Sequence, residues 1–302
     1  MGAIVARNES HGLSLKLDLE RDDLLPGTTA RGTLTILASR GLAARRVEAS
    51  LIATERWKFE QTSMDAGGHP RTQVVTKTKE LQRLPVELAG PTQFAAGERR
   101  ELSLEVSVPG LGPATLEAEV AGLTWELEVK IDVPNGFDAG LVVPVRVLQP
   151  TALLRAGVVR VGEFALYEAA DSSVGDARAS VEIKPMPICV GAPIYGSLTI
   201  ETNEVMDLQE VRLELRSTVK ATVSGGQHEE ITMWAGRLVG PGAFGGASQV
   251  IPFRGDIVSL FLPTIELPHG RADAAFHVIL ARSMARDPHL VRDVTICSTT
   301  EI

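Results

Sequence analysis

The chain is short of the residues that most often carry chemistry. Its 302 residues include two cysteines, Cys189 and Cys297, and six histidines. Two cysteines make no disulfide framework. The histidines (His11, His69, His228, His269, His277, His289) are scattered, with no second histidine or cysteine at metal-ligand spacing. No CxxC, HExxH or GxSxG motif occurs, which argues against zinc sites and serine-hydrolase elbows. Aromatic residues make up 4% of the chain, so stacking platforms for sugars or bases are scarce. Catalysis and cofactors are therefore not expected, and neither is a metal.

Cations are in deficit too. Lys and Arg number 30 against 38 Asp and Glu, giving a net charge of −8. Both halves share the deficit, so nucleic acid and anionic lipid, which need clustered cations, are poor partners. No stretch of 18 uncharged apolar residues occurs, and the N-terminal Met1-Gly2-Ala3-Ile4-Val5-Ala6-Arg7 lacks an apolar signal segment. Ala6 stands where myristoylation wants Ser or Thr. A cytoplasmic location without membrane insertion is the expectation.

What the chain has is alternation. Leu13, Leu15, Leu17 and Leu19 mark a half-buried strand, as do Leu102, Leu104, Val106 and Val108, and again Trp125, Leu127, Val129 and Ile131. With Gly and Pro turns between them, about eight strands fill the first half and no convincing amphipathic helix appears. The class is an all-β sandwich. The chain also repeats itself. Gly27, Gly32, Thr33-Leu34-Thr35-Ile36 and the run from Val47 recur at a fixed offset of 164 as Gly191, Gly196, Ser197-Leu198-Thr199-Ile200 and the run from Val211. An offset that long suits a duplicated domain rather than a solenoid. An offset of 151 aligns the closing strands, placing Trp125 on Phe276, Val143 on Val294 and Val145 on Ile296. The expected layout is a sandwich over 1–149, a connector over 150–176 and a second sandwich over 177–302. Within the connector, Thr151 to Phe164 reads as a strand pair and Glu163 to Ala170 as a short helix.

Leu25-Pro26-Gly27 followed by Gly32-Thr33-Leu34-Thr35-Ile36 resembles the opening of arrestin domains. The segment from Leu123 to Asp138, with Trp125, Leu127, Ile131-Asp132, Pro134, Gly136 and Asp138, resembles the signature that closes their first sandwich. With the duplication, the resemblance spans nearly the whole chain, and compact prokaryotic members of the sporulation-control type are the most similar in size. It implies two immunoglobulin-like sandwiches and a non-enzymatic adaptor or regulatory scaffold. The partners implied are proteins, including cytoplasmic segments of membrane proteins. It also implies a polar role at the domain junction for Asp132 and Asp138, for which a plain surface turn is the competing reading. The chain has no Pro-Pro-x-Tyr motif, which argues against a ubiquitin-ligase adaptor. A carbohydrate- or cell-surface-binding sandwich is the alternative function.

Three further features bear on binding. Arg56 and Lys58 share one face of a strand, and Lys77 and Lys79 join them if residues 50–60 pair with 73–83. Such a four-cation patch suits a carboxylate- or phosphate-bearing peptide, against a solvated hairpin face as the simpler account. Gly-rich hairpin tips at 62–72 and 223–229, and exposed sheet edges, are further docking sites. Gly240-Pro241-Gly242-Ala243-Phe244-Gly245 matches GxGxxG, but the next residues, Gly246-Ala247-Ser248-Gln249-Val250-Ile251-Pro252, cannot open a helix, so it reads as a turn. Cys189 and Cys297 lie on the first and last strands of the second half. A bridge there would add about 4–5 kcal/mol on a chain-entropy account, yet two reduced, buried thiols are favoured in a cytosolic chain. Asp22-Asp23 and Glu229-Glu230 read as solvated charge.

Overall fold

The computed structural model describes residues 4–134, 136–151, 166–168, 178–184, 186–201, 205–246, 248–257, 261–282 and 289–299. Its first strands are β1 (Ile4–Ser10), β2 (Leu13–Leu19), β3 (Asp23–Leu24), β4 (Thr29–Ala38), β5 (Leu42–Ala44) and β6 (Arg46–Met64). Then come β7 (Pro70–Ala89), β8 (Thr92–Phe94), β9 (Arg99–Ser107), β10 (Ala121–Asp132), β11 (Ala139–Val147) and β12 (Leu166–Glu168). The rest are β13 (Arg178–Lys184), β14 (Ile188–Cys189), β15 (Pro193–Glu201), β16 (Val205–Ala221), β17 (His228–Val239) and β18 (Gly242–Gly245). Last are β19 (Gln249–Asp256), β20 (Ile265–Glu266), β21 (Gly270–Arg282), β22 (His289–Val294) and β23 (Ile296–Cys297). The fold is all-β, as the alternation implies.

Contacts divide the chain into two units. The first is Met1–Trp57, Thr76–Leu116 and Gly122–Gln149; the second is Lys58–Val75, Glu117–Ala121 and Pro150–Ile302. In the first half a sheet ordered β1-β2-β4-β9 and a sheet ordered β3-β11-β10-β6-β7 each bury one face. The inward residues are the expected ones: Leu15, Leu17, Leu34, Ile36 and Leu104 from one sheet, and Leu51, Trp125, Leu127, Val129 and Ile131 from the other. The strict period of two puts every second side chain inside. Trp125, 1% exposed, gives its indole N–H to the Pro113 carbonyl at 3.0 Å, which settles the one polar atom it brings into the core.

The second half repeats this topology. Strands β13-β15-β19 stand in the order of β2-β4-β9, and β22-β21-β16-β17 in the order of β11-β10-β6-β7. A parallel two-residue ladder closes each half, β3 on β11 and β14 on β23. The repeated glycines have the same two tasks. Gly27 and Gly191 hold φ of 78° and 77°, the left-handed region where a side chain is strained. At Gly32 and Gly196 a Cβ would press onto the carbonyl oxygens of Asp18 and Glu182 in the neighbouring strand.

Register corrects the second offset. Leu24 and Ile188, 164 apart, face Val147 and Ile296, which are 149 apart. Trp125 faces Val145 as Ala274 faces Val294, again 149 apart. Trp125 therefore corresponds to Ala274, and Phe276 to Leu127. A two-residue slip keeps every side chain on its own face, so the apolar pattern could not distinguish the two alignments. The aromatic mass of the second core lies elsewhere: Phe253 sits 5.9 Å from Trp234 and 6.3 Å from Phe276, ring centre to ring centre.

The helix expected from Glu163 to Ala170 is also corrected. Leu166–Glu168 is strand β12, paired antiparallel to β22, because its backbone completes the sheet edge there. The strand pair expected from Thr151 to Phe164 lies outside the described residues beyond Thr151, as does most of the proposed connector. The GxGxxG match falls on β18, which pairs with β16 and leads to strand β19, so no helix follows it.

Candidate binding surface

Strands β6 and β7 form the longest hairpin of the molecule. Their inward residues Val47, Ala49, Leu51, Ala53 and Trp57 are buried, and beyond Phe59 the side chains are exposed. The tip closes on itself. Asp65 accepts the amides of Gly67 and His69 through Oδ1, both at 2.9 Å, and Gly68 takes φ of 78°. This is an Asx-type turn, in which a short carboxylate replaces backbone acceptors. Strand β7 lies at the edge of its sheet, with nearly all of its first eleven residues exposed. Its outer rim presents main-chain donors and acceptors to an incoming strand.

The four predicted cations are distributed unevenly along this hairpin. Arg56 and Lys58 are half-buried, and Lys77 and Lys79 are exposed. Arg56, Lys77 and Lys79 belong to the first unit; Lys58 belongs to the second, where Nζ meets Glu119 Oε1 at 2.7 Å. Sequence reasoning missed that partner because Glu119 is 61 residues away. It missed Arg83 too. That guanidinium binds Glu128 at 2.7 Å and both oxygens of Glu80, at 2.8 and 3.0 Å. These bonds hold Arg83 firmly charged and lower the Glu80 carboxyl. The edge of β7 is thus a mixed rim carrying Lys77 and Lys79.

The second hairpin tip is engaged within its own unit. Glu60 donates its amide to the Gly225 carbonyl at 2.8 Å, Gln227 donates to the Lys58 carbonyl at 3.2 Å, and Phe59 bridges Gly226. Glu229 Oε1 takes the amides of Glu119 and Val120 at 2.6 and 2.7 Å. Glu230 binds Arg216 at 2.6 Å. The Glu229-Glu230 pair, expected to be solvated, is therefore committed. Charge-assisted bonds to backbone amides satisfy donors that a bend in the 117–121 segment leaves without a ladder partner. Of the two tips, the one around residues 65–69 remains open.

Asp132 and Asp138 both lie in the first unit. Asp138 Oδ2 meets Lys130 Nζ at 2.8 Å and Oδ1 accepts the Val133 amide at 3.2 Å. The Lys130 hydrogen bond holds the Asp138 carboxyl below the usual range, and Asp138 in turn raises Lys130. Asp132 sits 3.8 Å from Arg45, whose amide also donates to the Asp132 carbonyl at 2.8 Å. Asp138, Lys130, Arg7, Asn8 and Glu128 border a groove of about 440 Å³. A carboxylate held ionised in this way is no proton donor near neutral pH, so the groove lacks a general acid in Asp138. Among the described residues no three His, Cys, Asp or Glu side chains gather as a metal site. No described helix is long and apolar enough to cross a membrane.

The sequence matches no protein-family model and no curated protein.

Cys189 and Cys297, expected on the first and last strands of the second half, lie on β14, which follows β13, and on β23, and they face one another in the β14–β23 ladder. Both are buried and unbridged.

Proposed function

We propose that the protein is a non-enzymatic adaptor or regulatory scaffold of arrestin type, built on two immunoglobulin-like sandwiches. It holds an extended segment of a protein partner along β7. The observation that carries this reading is the twenty-residue edge strand whose side chains are mostly exposed and whose sheet ends there. A partner strand would gain main-chain hydrogen bonds along residues 76–89, with Lys77 and Lys79 favouring acidic side chains on the incoming segment. Cytoplasmic segments of membrane proteins are one source of such strands. Asp132 and Asp138 serve in this reading as structural ion pairs rather than contact residues.

The test is capture of partners on the immobilised protein, comparing the wild type with two proline variants. One carries Thr76→Pro with Thr78→Pro, the other Lys77→Pro with Lys79→Pro. Alternate residues of an edge strand point their amides outward, so one pair spares the β6–β7 ladder and removes outward donors. The pair that keeps the far-ultraviolet circular dichroism of the wild type should lose the captured protein. Retention of every captured protein by that folded variant overturns the assignment to β7. Lys77→Glu with Lys79→Glu should weaken capture in a salt-dependent way.

A further inference from the structure

The second unit is closed by a feature that the binding role does not use. Strands β14 and β23 are each two residues long and run parallel, with Ile188 opposite Ile296 and Cys189 opposite Cys297. They join the beginning of one sandwich to its end. Ile188 donates its amide to Thr295 and Val190 donates to Cys297, both at 3.0 Å, so the cysteines are pinned in register from either side. Residues opposite one another in a ladder project from the same face, about 4.8 Å apart along the hydrogen-bonding direction. That spacing lies within the Cα separations of about 4.4–6.8 Å that disulfides span. The Cys189 thiol donates to the Pro187 carbonyl at 3.9 Å, and Ala192 packs against the cysteine pair.

We propose that Cys189 and Cys297 form a reversible disulfide-modification site, oxidised by a peroxide and reopened by thiols. The two sulfurs have different roles. The neighbouring Cys297 thiol lowers Cys189, while Cys189 and burial raise Cys297. Cys189, which keeps 2% exposure where Cys297 has none, is the attacking sulfur and Cys297 the resolving one. In the first step the Cys189 sulfur attacks one peroxide oxygen. The S–O bond forms, the O–O bond breaks, and the departing hydroxide takes up the proton that Cys189 released, leaving as water. In the second step the Cys297 sulfur attacks the sulfenic sulfur of Cys189. The S–S bond forms, the S–O bond breaks, and the hydroxyl leaves as water with the Cys297 proton. Two thiols and one hydrogen peroxide become one disulfide and two waters.

Burial selects the oxidant. Cys189 is 2% exposed and Cys297 is fully covered, which shields both from bulky disulfides. Hydrogen peroxide is little larger than water, and a two-residue ladder needs only local opening to admit it. The product ties the two ends of the second sandwich together.

The experiment uses the reduced full-length protein and hydrogen peroxide, followed by acid quench, denaturation, alkylation with N-ethylmaleimide and mass spectrometry. The expected product is monomeric, lacks two hydrogens, takes up no maleimide and yields a linked Cys189–Cys297 peptide. Treatment with dithiothreitol before alkylation restores two maleimides. Oxidised protein should also melt higher than reduced protein by roughly 10 °C. Cys297→Ser should trap a dimedone-reactive sulfenic acid on Cys189, whereas Cys189→Ser should give none on Cys297. Full double alkylation after peroxide, overoxidation without a linked peptide, or linkage only between molecules overturns the proposal. The wild-type mass measurement decides it even where a serine variant fails to fold.

Discussion

In the first half of the chain, Asp23 and Leu24 run parallel to Arg146 and Val147; in the second, Ile188 and Cys189 run parallel to Ile296 and Cys297. The same joint carries different chemistry, one residue before the matched Leu24 in the first half and one residue after the matched Ile188 in the second. The first has an ion pair, Arg146 to Asp23 at 3.7 Å, half open to water. The second has two buried thiols. An exposed pair at that distance contributes little, about 0–1 kcal/mol, and weakens with salt. A thiol pair contributes as two small apolar groups until it is oxidised, when its contribution becomes covalent. The outer faces of the central strands differ as well. Ser50 and Ile52 are buried on β6, whereas the matching positions of β16 carry Glu214 and Arg216, bonded to each other at 2.7 Å. The two halves share the inward pattern and the glycines and differ in these other positions.

This comparison can be broken most forcefully in the cores. Trp125→Ala should cost the first unit about 3–5 kcal/mol, and Phe276→Ala about the same in the second. Hydrogen exchange read peptide by peptide should place each loss in its own unit; a uniform loss from either variant would refute two separate cores. The glycines come next. Gly32→Ala and Gly196→Ala should each cost about 1–3 kcal/mol in chemical denaturation, because the new methyl meets a neighbouring carbonyl. Gly240→Ala, whose new methyl would meet nothing nearer than the Arg237 guanidinium at 3.8 Å, should cost less. Equal tolerance at all three positions would remove the packing argument.

Glu229→Gln should cost about 1–2 kcal/mol, since two amides lose a charged acceptor. Its signature is faster exchange at Glu119 and Val120, and unchanged protection there would contradict the clamp. The smallest effect is expected at Asp293 on β22. Burial, then the nearby Asp273 charge, raises its carboxyl above the ordinary value. An acid raised in the folded state opposes folding once ionised. Its penalty grows as pH climbs from the unfolded value through the folded one and is constant above. Asp293→Asn should therefore raise stability slightly at neutral pH, by about 0.5 kcal/mol or less with a small rise in melting temperature, and leave both unchanged in acid. A lower melting temperature at neutral pH would reverse that sign.

Much of the fold could be read from residues such as Leu13 to Leu19, because a one-sided core writes itself as alternation. The offset of 164 was equally plain, since Gly27 and Gly32 have no substitutes at a positive φ and a close approach. The offset of 151 failed for the converse reason. Inward positions repeat every two residues, so Phe276 could stand for Trp125 as well as for Leu127 until the ladders were seen. Binding residues were less legible. Lys58 was recognisable as a cation, but its partner Glu119 and the clamp on Glu229 depend on pairings between residues far apart in the chain. Pairing of Cys189 with Cys297 was open on composition alone, and only register brought the two side chains face to face.

Pro85 sits within β7, the strand that ends its sheet. Having no N–H, it leaves a gap in the row of donors along that rim. Lys77 and Lys79 add like charges that repel a second copy of the same strand. Together they set how concentrated the protein can become before molecules begin to stack rim to rim into insoluble ribbons. Valine at position 85 would close the gap and lower that ceiling.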